Sequence, residues 1–373
     1  MNKTSRQNQL TQKQVVAFLL APFVLLQNMW RRGVPQKIWL GFCAFVLLLT
    51  TTMYGIGFWY QQKHKNEPIT FGSTFISSYA EGFGLDPKET MQAMIDDLGI
   101  KRFRLVSYWR TIEKEPGVYD FSDLDWQFEK VKKAGGTVSL AIGLRQPRWP
   151  ECHAPDWAKK QDIDEWYPKL RIFMTKVIER YKDRPELVSY QLENEYFLKV
   201  FGDCPDHSKW RLVEEFELVK SLDSEKPVIV SRSNNAVPSW PVGEPRADIV
   251  AASIYKRVWD KTITKRYFEY PIPPWYYSFL AGGTLLTTGR ETFIHELQME
   301  SWLPEGYDMR TASVEEMYKS MNPNMVKDRL QYAADTGMKT IDVWGPEWWY
   351  FMKQKRGAPQ LWNTAKTELE RYR

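Results

Sequence analysis

Two hydrophobic patterns divide the chain. From Ile38 to Tyr60 the sequence runs for 23 residues without a charged side chain. From about residue 69 onward, short runs rich in β-branched and aromatic residues alternate with amphipathic stretches. The first pattern is typical of a membrane-spanning helix, and the second of a domain built from strand–helix units.

The second part of the chain contains eight strand-like runs. They cover residues 69–76, 101–107, 137–143, 187–195, 227–231, 248–255, 292–298 and 340–345. Helices are predicted at residues 86–99, 124–134, 166–181, 210–222, 323–335 and 359–372, and an aromatic connection through Trp275–Tyr277 follows the sixth strand. Regular alternation of this kind predicts an α/β fold, a (β/α)8 TIM barrel. A doubly wound open sheet is the alternative, but its glycine-rich phosphate turn is missing after the first strand.

Charge separates the same two parts. The 51 Lys and Arg and 46 Asp and Glu residues give a formal net charge of +5. Residues 1–65 hold eight of the basic residues and no acidic one, which leaves 43 basic and 46 acidic residues in the remainder. The positive charge therefore belongs to an N-terminal segment beside an apolar run, and we predict no nucleic-acid partner.

Residues 38–60 are predicted to be a transmembrane anchor that contacts the lipid bilayer. A helix of this length spans about 35 Å, against about 30 Å for a hydrocarbon core. Trp39 lies near one end and Trp59 near the other, where interfacial aromatics are expected. A buried core helix and a cleaved signal peptide are the alternatives. The long polar lead-in and the lack of a small-residue cleavage site favour a retained anchor.

Positive charge before the span predicts its orientation. Arg31, Arg32 and Lys37 precede the anchor, which places residues 1–37 on the cytoplasmic side and residues 69–373 outside the cytoplasm, after a linker at 61–68. The shorter apolar run Val15–Leu26 is predicted to be interfacial. If it also crossed the membrane, the basic segment would lie outside, against the usual charge rule.

Two glutamates end predicted strands of the barrel. Glu195 ends the fourth strand and Glu296 lies near the end of the seventh. The carboxyl ends of barrel strands surround the active site. A single glutamate there is commonly a rim residue or an ion-pair partner. Two facing carboxylates, however, are what glycoside hydrolysis requires, since one protonates the leaving oxygen and the other attacks the anomeric carbon or activates water.

Several motifs in order along the chain resemble a known class of enzymes. They are RFRLVSYWRTIEKEPGVYDFSDLDWQFEKVKKAG at 102–135, VSYQLENEY at 188–196, IYKRVW at 254–259, TFIHELQMESW at 292–302 and DVWGPEWWYF at 342–351. Together they resemble retaining glycoside hydrolases with catalytic glutamates on strands four and seven. That clan includes families 5, 10, 35, 39 and 42, and the motifs look most like families 42, 35 and 5.

The resemblance implies a role for each matched residue. Glu195 would be the acid/base and Glu296 the nucleophile of a double-displacement reaction. The other matches are Arg104, which steers the nucleophile, Asn194, which binds the sugar 2-hydroxyl, Tyr255, which hydrogen-bonds the nucleophile, and Trp344, which floors the sugar subsite. No metal or organic cofactor is expected.

Other residues near the predicted strand ends have more than one possible role. Aromatic residues make up 15% of the chain, and Trp149 is one that is predicted to stack on a sugar ring. Glu347 would either bind sugar hydroxyls or form an ordinary ion pair. Glu300 is expected to face the adjoining loop, and Glu193 is expected to be a packed acid. His295 stands where the clan often has threonine, which leaves its hydrogen bonding open.

Two cysteines follow adjacent strands. Cys152 lies after the third strand and Cys204 after the fourth, so their loops can meet. In an external domain the natural prediction is a disulfide. A zinc site with His153 and His207 is the alternative, although His153 directly follows Cys152 and the two would not easily face one ion.

These observations predict a membrane-anchored, single-pass retaining glycoside hydrolase. Its substrate would be a β-linked oligo- or polysaccharide, cleaved in a β-galactosidase-like or β-glucanase/mannanase-like reaction. The alternative is a non-catalytic surface glycan-binding barrel, which would not need both glutamates. Serine hydrolases, P-loop NTPases and zinc proteases are disfavoured because the sequence has no G-x-S-x-G, Walker or H-E-x-x-H motif.

Overall fold

The computed structural model describes residue 27 and residues 33–199, 201–233 and 245–372. The apolar run Val15–Leu26 and the basic pair Arg31 and Arg32 lie outside the described residues. The chain divides after Ile56 into two compact units.

An apolar helix, α1 (Val34–His64), crosses the division between the units. Among the described helices it alone is long and apolar enough to cross a membrane, and 6% of its apolar window is buried. It extends beyond the predicted span on both sides, so the first residues of the predicted linker are helical. Its last turns belong to the second unit, where a Cβ at Gly57 would lie 2.8 Å from the Trp275 carbonyl oxygen. Glycine therefore allows the two backbones to approach closely.

A closed barrel of eight parallel strands forms the centre of the second unit within the described residues, as predicted. In chain order its strands are β1 (Thr70–Phe75), β2 (Arg102–Val106), β3 (Thr137–Ile142), β4 (Leu187–Leu192), β5 (Val228–Ser233), β6 (Ile249–Ile254), β9 (Thr292–Gln298) and β10 (Thr340–Trp344). Neighbours around the barrel follow the chain, and β1 closes it against β10. The strands are largely buried because side chains fill the barrel on one face and helices cover the other.

Helices surround this barrel. Among the described residues they are α2 (Ser77–Gly82), α3 (Pro87–Asp96), α4 (Trp109–Ile112), α5 (Ser122–Lys133), α6 (Ile163–Tyr181), α7 (Lys209–Leu222), α8 (Pro274–Thr288), α9 (Val314–Tyr318), α10 (Pro323–Asp335), α11 (Pro346–Lys355) and α12 (Gln360–Arg371). The predicted start at Asp86 is confirmed, since its carboxylate accepts from the backbone amides of Lys88 and Glu89. Such a cap satisfies amides that the first helical turn leaves unpaired.

The connection after β6 differs from the prediction. It contains an antiparallel hairpin, β7 (Arg257–Asp260) and β8 (Arg266–Glu269), and then α8. The hairpin strands have four residues each and carry charges at their ends, so they lack the apolar run that marks the barrel strands. Helix α8 is apolar on most sides, so it lacks the amphipathic period that identifies a surface helix.

Candidate active site

The two predicted catalytic glutamates line one cavity at the carboxyl ends of the barrel strands. Its volume is about 1020 Å³, and its described lining includes Glu195, Glu296, Tyr255, Trp344 and Trp149. Glu195 and Glu296 are both buried, with 6% and 3% of their surface exposed. The barrel therefore brings two carboxyl groups that are far apart in the sequence into one cavity.

Glu296 accepts hydrogen bonds from two donors. The Arg104 guanidinium donates from Nη2 to Oε1 at 2.8 Å, and the Tyr255 hydroxyl donates to Oε2 at 2.7 Å. Both oxygens of Glu296 thus receive a directed hydrogen bond, one of them charge-assisted. This arrangement stabilises a carboxylate and aims it into the cavity.

Arg104 is itself fixed from several strands. Its Nε donates to Thr74 on β1 at 2.8 Å, and its Nη1 donates to Gln191 on β4 at 3.0 Å and to Nδ1 of His295 at 2.6 Å. The side chain is 1% exposed. A buried guanidinium is tolerated here because its donors have partners across the barrel interior.

A pairing irregularity in β9 places two consecutive residues in this network. Ile294 pairs with Ala252 and Glu296 with Ser253, so the register shifts at His295. On a regular strand His295 and Glu296 would point to opposite faces. The shift turns both toward Arg104, which answers the open question about His295.

Glu195 has the opposite electrostatic environment to Glu296. Burial, the charge of Glu296 and the charge of Glu151 raise the pKa of Glu195 to about 8. Its backbone has a φ of 44°, and its amide donates to the Ser231 hydroxyl at 2.9 Å. The left-handed backbone turns the carboxyl group into the cavity, where a proton is retained at neutral pH.

A directed hydrogen-bond chain joins the two glutamates. Because Arg104 can only donate, Nδ1 of His295 accepts, and the ring hydrogen lies on Nε2. Nε2 then donates to the Ser253 hydroxyl at 3.0 Å, and Ser253 donates to Oε1 of Glu195. Burial and Arg104 hold the pKa of His295 well below its usual range, so the ring is neutral, as this chain requires.

Asn194 lies beside a third carboxyl group. Its Oδ1 accepts from Gln191 at 3.1 Å, and its Nδ2 donates to Glu151 at 3.2 Å. Glu151 lines the cavity, and burial raises its pKa to about 7. Sequence reasoning missed Glu151, which lies in the irregular loop after β3 and belongs to no recognisable motif.

The predicted floor residue, Trp344, belongs to a cluster that also contains two charged side chains, Glu300 and Arg148. Trp344 is 5% exposed, and its Nε1 donates to Glu300 at 2.8 Å. The Arg148 guanidinium donates two hydrogen bonds to the Glu300 carboxylate, at 3.2 and 3.1 Å. Its central carbon also lies 4.4 Å from the centroid of the Trp344 ring and 3.3 Å from the centroid of the Tyr79 ring. Glu300 and Arg148 both line the cavity.

The expected place of Glu300 was therefore wrong. It lies after the end of β9 and lines the cavity, and Tyr79 also donates to it at 3.0 Å. Arg148 was not identified from the sequence. Its φ of 81° is unusual for a residue other than glycine and gives no sequence signal.

The two remaining candidates take different positions. Trp149 lies at the rim with 62% of its surface exposed, edge-on to Phe201 at 5.8 Å. Glu347 does not line the described cavity. It is 2% exposed, and its Oε1 accepts from the backbone amide of Ile76 at 2.8 Å. From the start of α11, Glu347 thus connects this helix to the end of β1.

The predicted disulfide is confirmed. Cys152 and Cys204 are bonded, with 5.1 Å between their Cα atoms. The zinc alternative is wrong because both sulfurs are used. His153 stacks on Tyr108 at 3.7 Å between centroids, and His207 Nδ1 contacts the carbonyl oxygen of Tyr196.

The loop carrying Glu151 is also tied down by a packed acid. Both oxygens of Glu193 accept backbone amides of the loop after β3, from Leu144 at 2.6 Å and Arg145 at 2.8 Å. Arg211 pairs with Glu193 at 3.0 Å, and neither side chain is exposed. Glu193 is the packed acid that was predicted, and it connects the ends of β3 and β4.

Comparison with known proteins agrees with this geometry. Residues 87–211 match the family model of Glyco_hydro_42, described as beta-galactosidase. A curated relative, Beta-galactosidase BbgII of Bifidobacterium bifidum, is 30% identical over 105 residues, which are 24% of this chain and 15% of that protein. The match to the family model therefore covers the segment from α3 to the beginning of α7.

Solved structures share the barrel. A β-galactosidase from the Antarctic haloarchaeon Halorubrum lacusprofundi has a TM-score of 0.56 at 14% identity, over 82% of this chain and 58% of that one. A GH5_18 protein from Bifidobacterium longum subsp. infantis has a TM-score of 0.54 at 12% identity, over 82% and 79%. An endo-beta-1,4-xylanase from Gloeophyllum trabeum has a TM-score of 0.51 at 12% identity, over 81% and 96%.

These structural likenesses show the fold, and the segment match connects it with a glycoside hydrolase family. The resemblance to glycoside hydrolases that the motifs implied is thus confirmed. This chain covers less than two thirds of the curated relative and of the haloarchaeal β-galactosidase.

Proposed function

We propose that this protein is a membrane-anchored retaining β-glycosidase in which Glu195 is the acid/base and Glu296 the nucleophile. The observation that carries the proposal is the contrast between two carboxyl groups in one cavity. Glu296 receives Arg104 and Tyr255, whereas the pKa of Glu195 is raised to about 8. Retaining hydrolysis needs one carboxyl group that donates a proton and a second that attacks the anomeric carbon.

In the first step Glu296 attacks the anomeric carbon while Glu195 protonates the glycosidic oxygen. The bond to the leaving group breaks, and a covalent glycosyl–enzyme ester forms at Glu296. Because Oε1 of Glu195 already accepts the hydrogen of Ser253, the acidic proton belongs on Oε2. Arg104 and Tyr255 hold the attacking carboxylate in position.

In the second step Glu195, now ionised, removes a proton from water. The resulting hydroxyl attacks the anomeric carbon, releases Glu296 and regenerates the protonated acid. The sugar product keeps its β configuration. Tyr255, which donates to Glu296 at rest, is placed to stabilise the departing carboxylate again.

Asn194 is proposed to bind the sugar 2-hydroxyl, and Arg148 with Glu300 to bind further hydroxyls at the floor. Asn194 is oriented by Gln191 and Glu151, so its amide cannot rotate without losing both hydrogen bonds. Trp149 at the rim would contact sugar beyond the cleaved bond. The names of the relatives make β-galactosides the first substrates to test, followed by β-glucans and β-mannans.

The anchor is part of the proposal. Helix α1 would cross the bilayer with residues 1–37 on the cytoplasmic side and the barrel outside the cytoplasm. The Cys152–Cys204 disulfide supports an oxidising location. Protease treatment of intact cells, compared with lysed cells, tests this sidedness, since an external barrel is degraded in both.

The central test uses the full chain in a non-glycosidic detergent with a panel of β-glycosides. Wild type, Glu195→Gln and Glu296→Gln are compared, and the anomer formed first is identified by proton NMR. The proposal expects a β product first and at least about a 10³-fold loss in each variant. An α product would contradict retention, and two fully active variants would contradict the site. Binding of glycans without hydrolysis by wild type would instead favour the glycan-binding alternative.

A further inference from the structure

The cavity that holds the catalytic glutamates continues into a wall of a different chemical character. This wall comes from the β7–β8 hairpin, from the segment after β4 and from Trp302 after β9, and it is here called the apolar wall. Its described members are Phe197, Leu198, Phe201, Val258, Trp259, Ile263, Phe268 and Trp302. The same cavity therefore combines a polar, charged base with a largely hydrophobic side.

Much of the apolar wall is open to solvent. Ile263 at the hairpin turn is 84% exposed, Phe268 is 44% exposed and Phe197 is 37% exposed. A contiguous apolar patch beside polar residues usually marks a surface that another molecule covers. Because this patch belongs to the active-site cavity, its occupant is expected to be part of the substrate.

Polar side chains interrupt the apolar wall, namely Lys199, Asp260, Lys261, Thr262, Thr264 and Tyr270, which also line the cavity. The Asp260 carboxylate accepts the backbone amides of Thr262, Ile263 and Thr264 and the Thr264 hydroxyl within the hairpin turn. It is therefore committed to the turn. Leu198, Val258 and Ile263 are branched aliphatic side chains, which lack the flat face on which a sugar ring stacks. They fit flexible hydrocarbon better than a sugar.

The cavity is also large enough for more than one sugar. A volume of about 1020 Å³ lies at the upper end of the range of roughly 300–1,000 Å³ for pockets that enclose a drug-sized ligand. A sugar at the glutamates leaves the apolar wall for the group on the other side of the cleaved bond.

We infer that the leaving group is a hydrocarbon chain, so that the substrate is a glycolipid with its sugar at Glu195 and Glu296 and its lipid along the apolar wall. This inference rests on the proposed glycosidase function. The proposed anchor supports it, since a chain held in the bilayer by α1 works where lipid-linked sugars are found. In the first step the glycosidic oxygen would leave with the lipid as an alcohol, protonated by Glu195.

The competing occupant is the continuation of a polysaccharide. Trp259, Trp302 and Phe201 could stack on sugar rings, and a polymer would then replace the lipid. The two occupants differ in what each added unit contributes. A growing alkyl chain gains affinity with each methylene on aliphatic and aromatic surface alike, whereas a polysaccharide needs hydrogen-bonding partners as well.

The first experiment is a chain-length series. Methyl, butyl, hexyl and octyl β-glycosides of the cleaved sugar are assayed below their micelle concentrations, with the full chain in phospholipid nanodiscs and an oligosaccharide of the same sugar beside them. Full burial of a methylene would raise kcat/KM about fourfold. Because the apolar wall is partly exposed, we expect about twofold for each methylene, or roughly 100-fold from methyl to octyl. A flat series with faster oligosaccharide cleavage would overturn the inference.

A pair of double variants shows whether the apolar wall is responsible. Ile263→Asn/Phe268→Asn should flatten the series, because kcat/KM for the octyl glycoside should fall by a larger factor than kcat/KM for the methyl glycoside. The control Val118→Asn/Ile172→Asn removes two side chains that are 60% and 54% exposed and lie outside the cavity. The substrates partition into the nanodisc equally in the assays of the two double variants. The inference is therefore supported only if the dependence of kcat/KM on chain length becomes weaker in the wall variant and not in the control. Equal behaviour of the two variants contradicts it.

A binding measurement separates this inference from the proposed catalysis. Non-cleavable alkyl β-thioglycosides are titrated calorimetrically, and the affinity should rise with chain length with a negative heat-capacity change. If affinity rises but no glycoside is hydrolysed, the apolar wall stands and the catalytic proposal fails. If glycosides are hydrolysed but affinity is independent of chain length, the catalytic proposal stands and the lipid assignment fails.

Discussion

The hydroxyl of Ser253 donates its hydrogen to Oε1 of Glu195. That hydrogen cannot point to His295, because the Ser253 oxygen receives the Nε2 hydrogen of the His295 ring. The acid/base candidate is thereby oriented by a chain that begins at Arg104, which also holds Glu296. A change at one carboxyl group is therefore felt at the other through fixed hydrogen bonds as well as through charge.

The first prediction concerns Ser253→Ala. A hydrogen bond to the ionised form lowers a carboxyl pKa, so its removal should raise the pKa of Glu195 above about 8. The basic limb of kcat/KM against pH, which reports the free enzyme, should move to higher pH, and kcat/KM at pH 7 should fall about tenfold. Ser139→Ala removes a buried hydroxyl that bonds Ser189 instead, and its basic limb should stay in place. An unchanged limb in Ser253→Ala would show that this hydrogen bond does not lower the pKa of Glu195.

The second prediction distinguishes Glu296 from Glu300 as the nucleophile. Both line the cavity, but only Glu296 receives Arg104 and Tyr255. Azide should restore activity to Glu296→Ala with formation of an α-glycosyl azide, since the small anion enters the vacated space and attacks once. Glu300→Ala should not be rescued and should chiefly raise KM. Rescue of Glu300→Ala in place of Glu296→Ala would reverse the assignment.

The third prediction links burial to stability. Burial raises the pKa of Glu347 to about 7, of Glu151 to about 7 and of Glu195 to about 8. For an acid whose pKa is raised by folding, the stabilisation is complete below the unfolded pKa and is lost as pH rises through the folded pKa. The free energy of unfolding should therefore fall from about pH 4.5, the ordinary pKa of a glutamate, to about pH 8, by several kcal/mol in order of magnitude.

Thermal unfolding of two variants measures this effect. Glu347→Gln keeps an acceptor for the Ile76 amide but cannot ionise, so its melting temperature should fall less over that range than that of wild type. Glu305→Gln is the control, because its side chain is 67% exposed in the folded protein. Equal pH dependence in wild type and Glu347→Gln would mean that Glu347 contributes nothing to it.

The fourth prediction concerns the disulfide. Cys152 and Cys204 are 52 residues apart in the chain, so their bond restricts the unfolded state and should contribute about 2–4 kcal/mol. Cys152 also follows Glu151, which orients Asn194. Cys152→Ser/Cys204→Ser should therefore lower both the urea midpoint and kcat/KM. Cys43→Ser, at the exposed free cysteine, should change neither.

The barrel could be predicted from sequence because its strands are buried on both sides. Runs such as TFIHELQ carry a β-type signal that does not depend on distant partners, and each of the eight was found. The β7–β8 hairpin lies outside the barrel, where short charged strands gain their order from contacts. One of these is the 2.7 Å hydrogen bond from Arg257 Nε to the Lys319 carbonyl oxygen.

The candidate site was predictable only where a motif ends a strand. Glu195, Glu296, Arg104 and Tyr255 lie on or just after strands, so the barrel fixes their positions. Arg148 and Glu151 lie in one loop with φ values of 81° and 70°. Such backbone conformations in non-glycine residues persist only where packing holds them, here through the disulfide and Glu193. They could therefore not be predicted from the local sequence.

Because of the β7–β8 hairpin, the residues proposed to bind the substrate at one side of the cavity lie on a different element from the catalytic glutamates. The chemistry resides on barrel strands, whereas one side of the cavity is formed by a short insertion between β6 and α8. Replacing residues 257–269 with a different turn would exchange the surface that meets the substrate without moving Glu195 or Glu296. Selection, or an engineer, can thus alter which molecules enter while the bond-breaking apparatus is inherited unchanged.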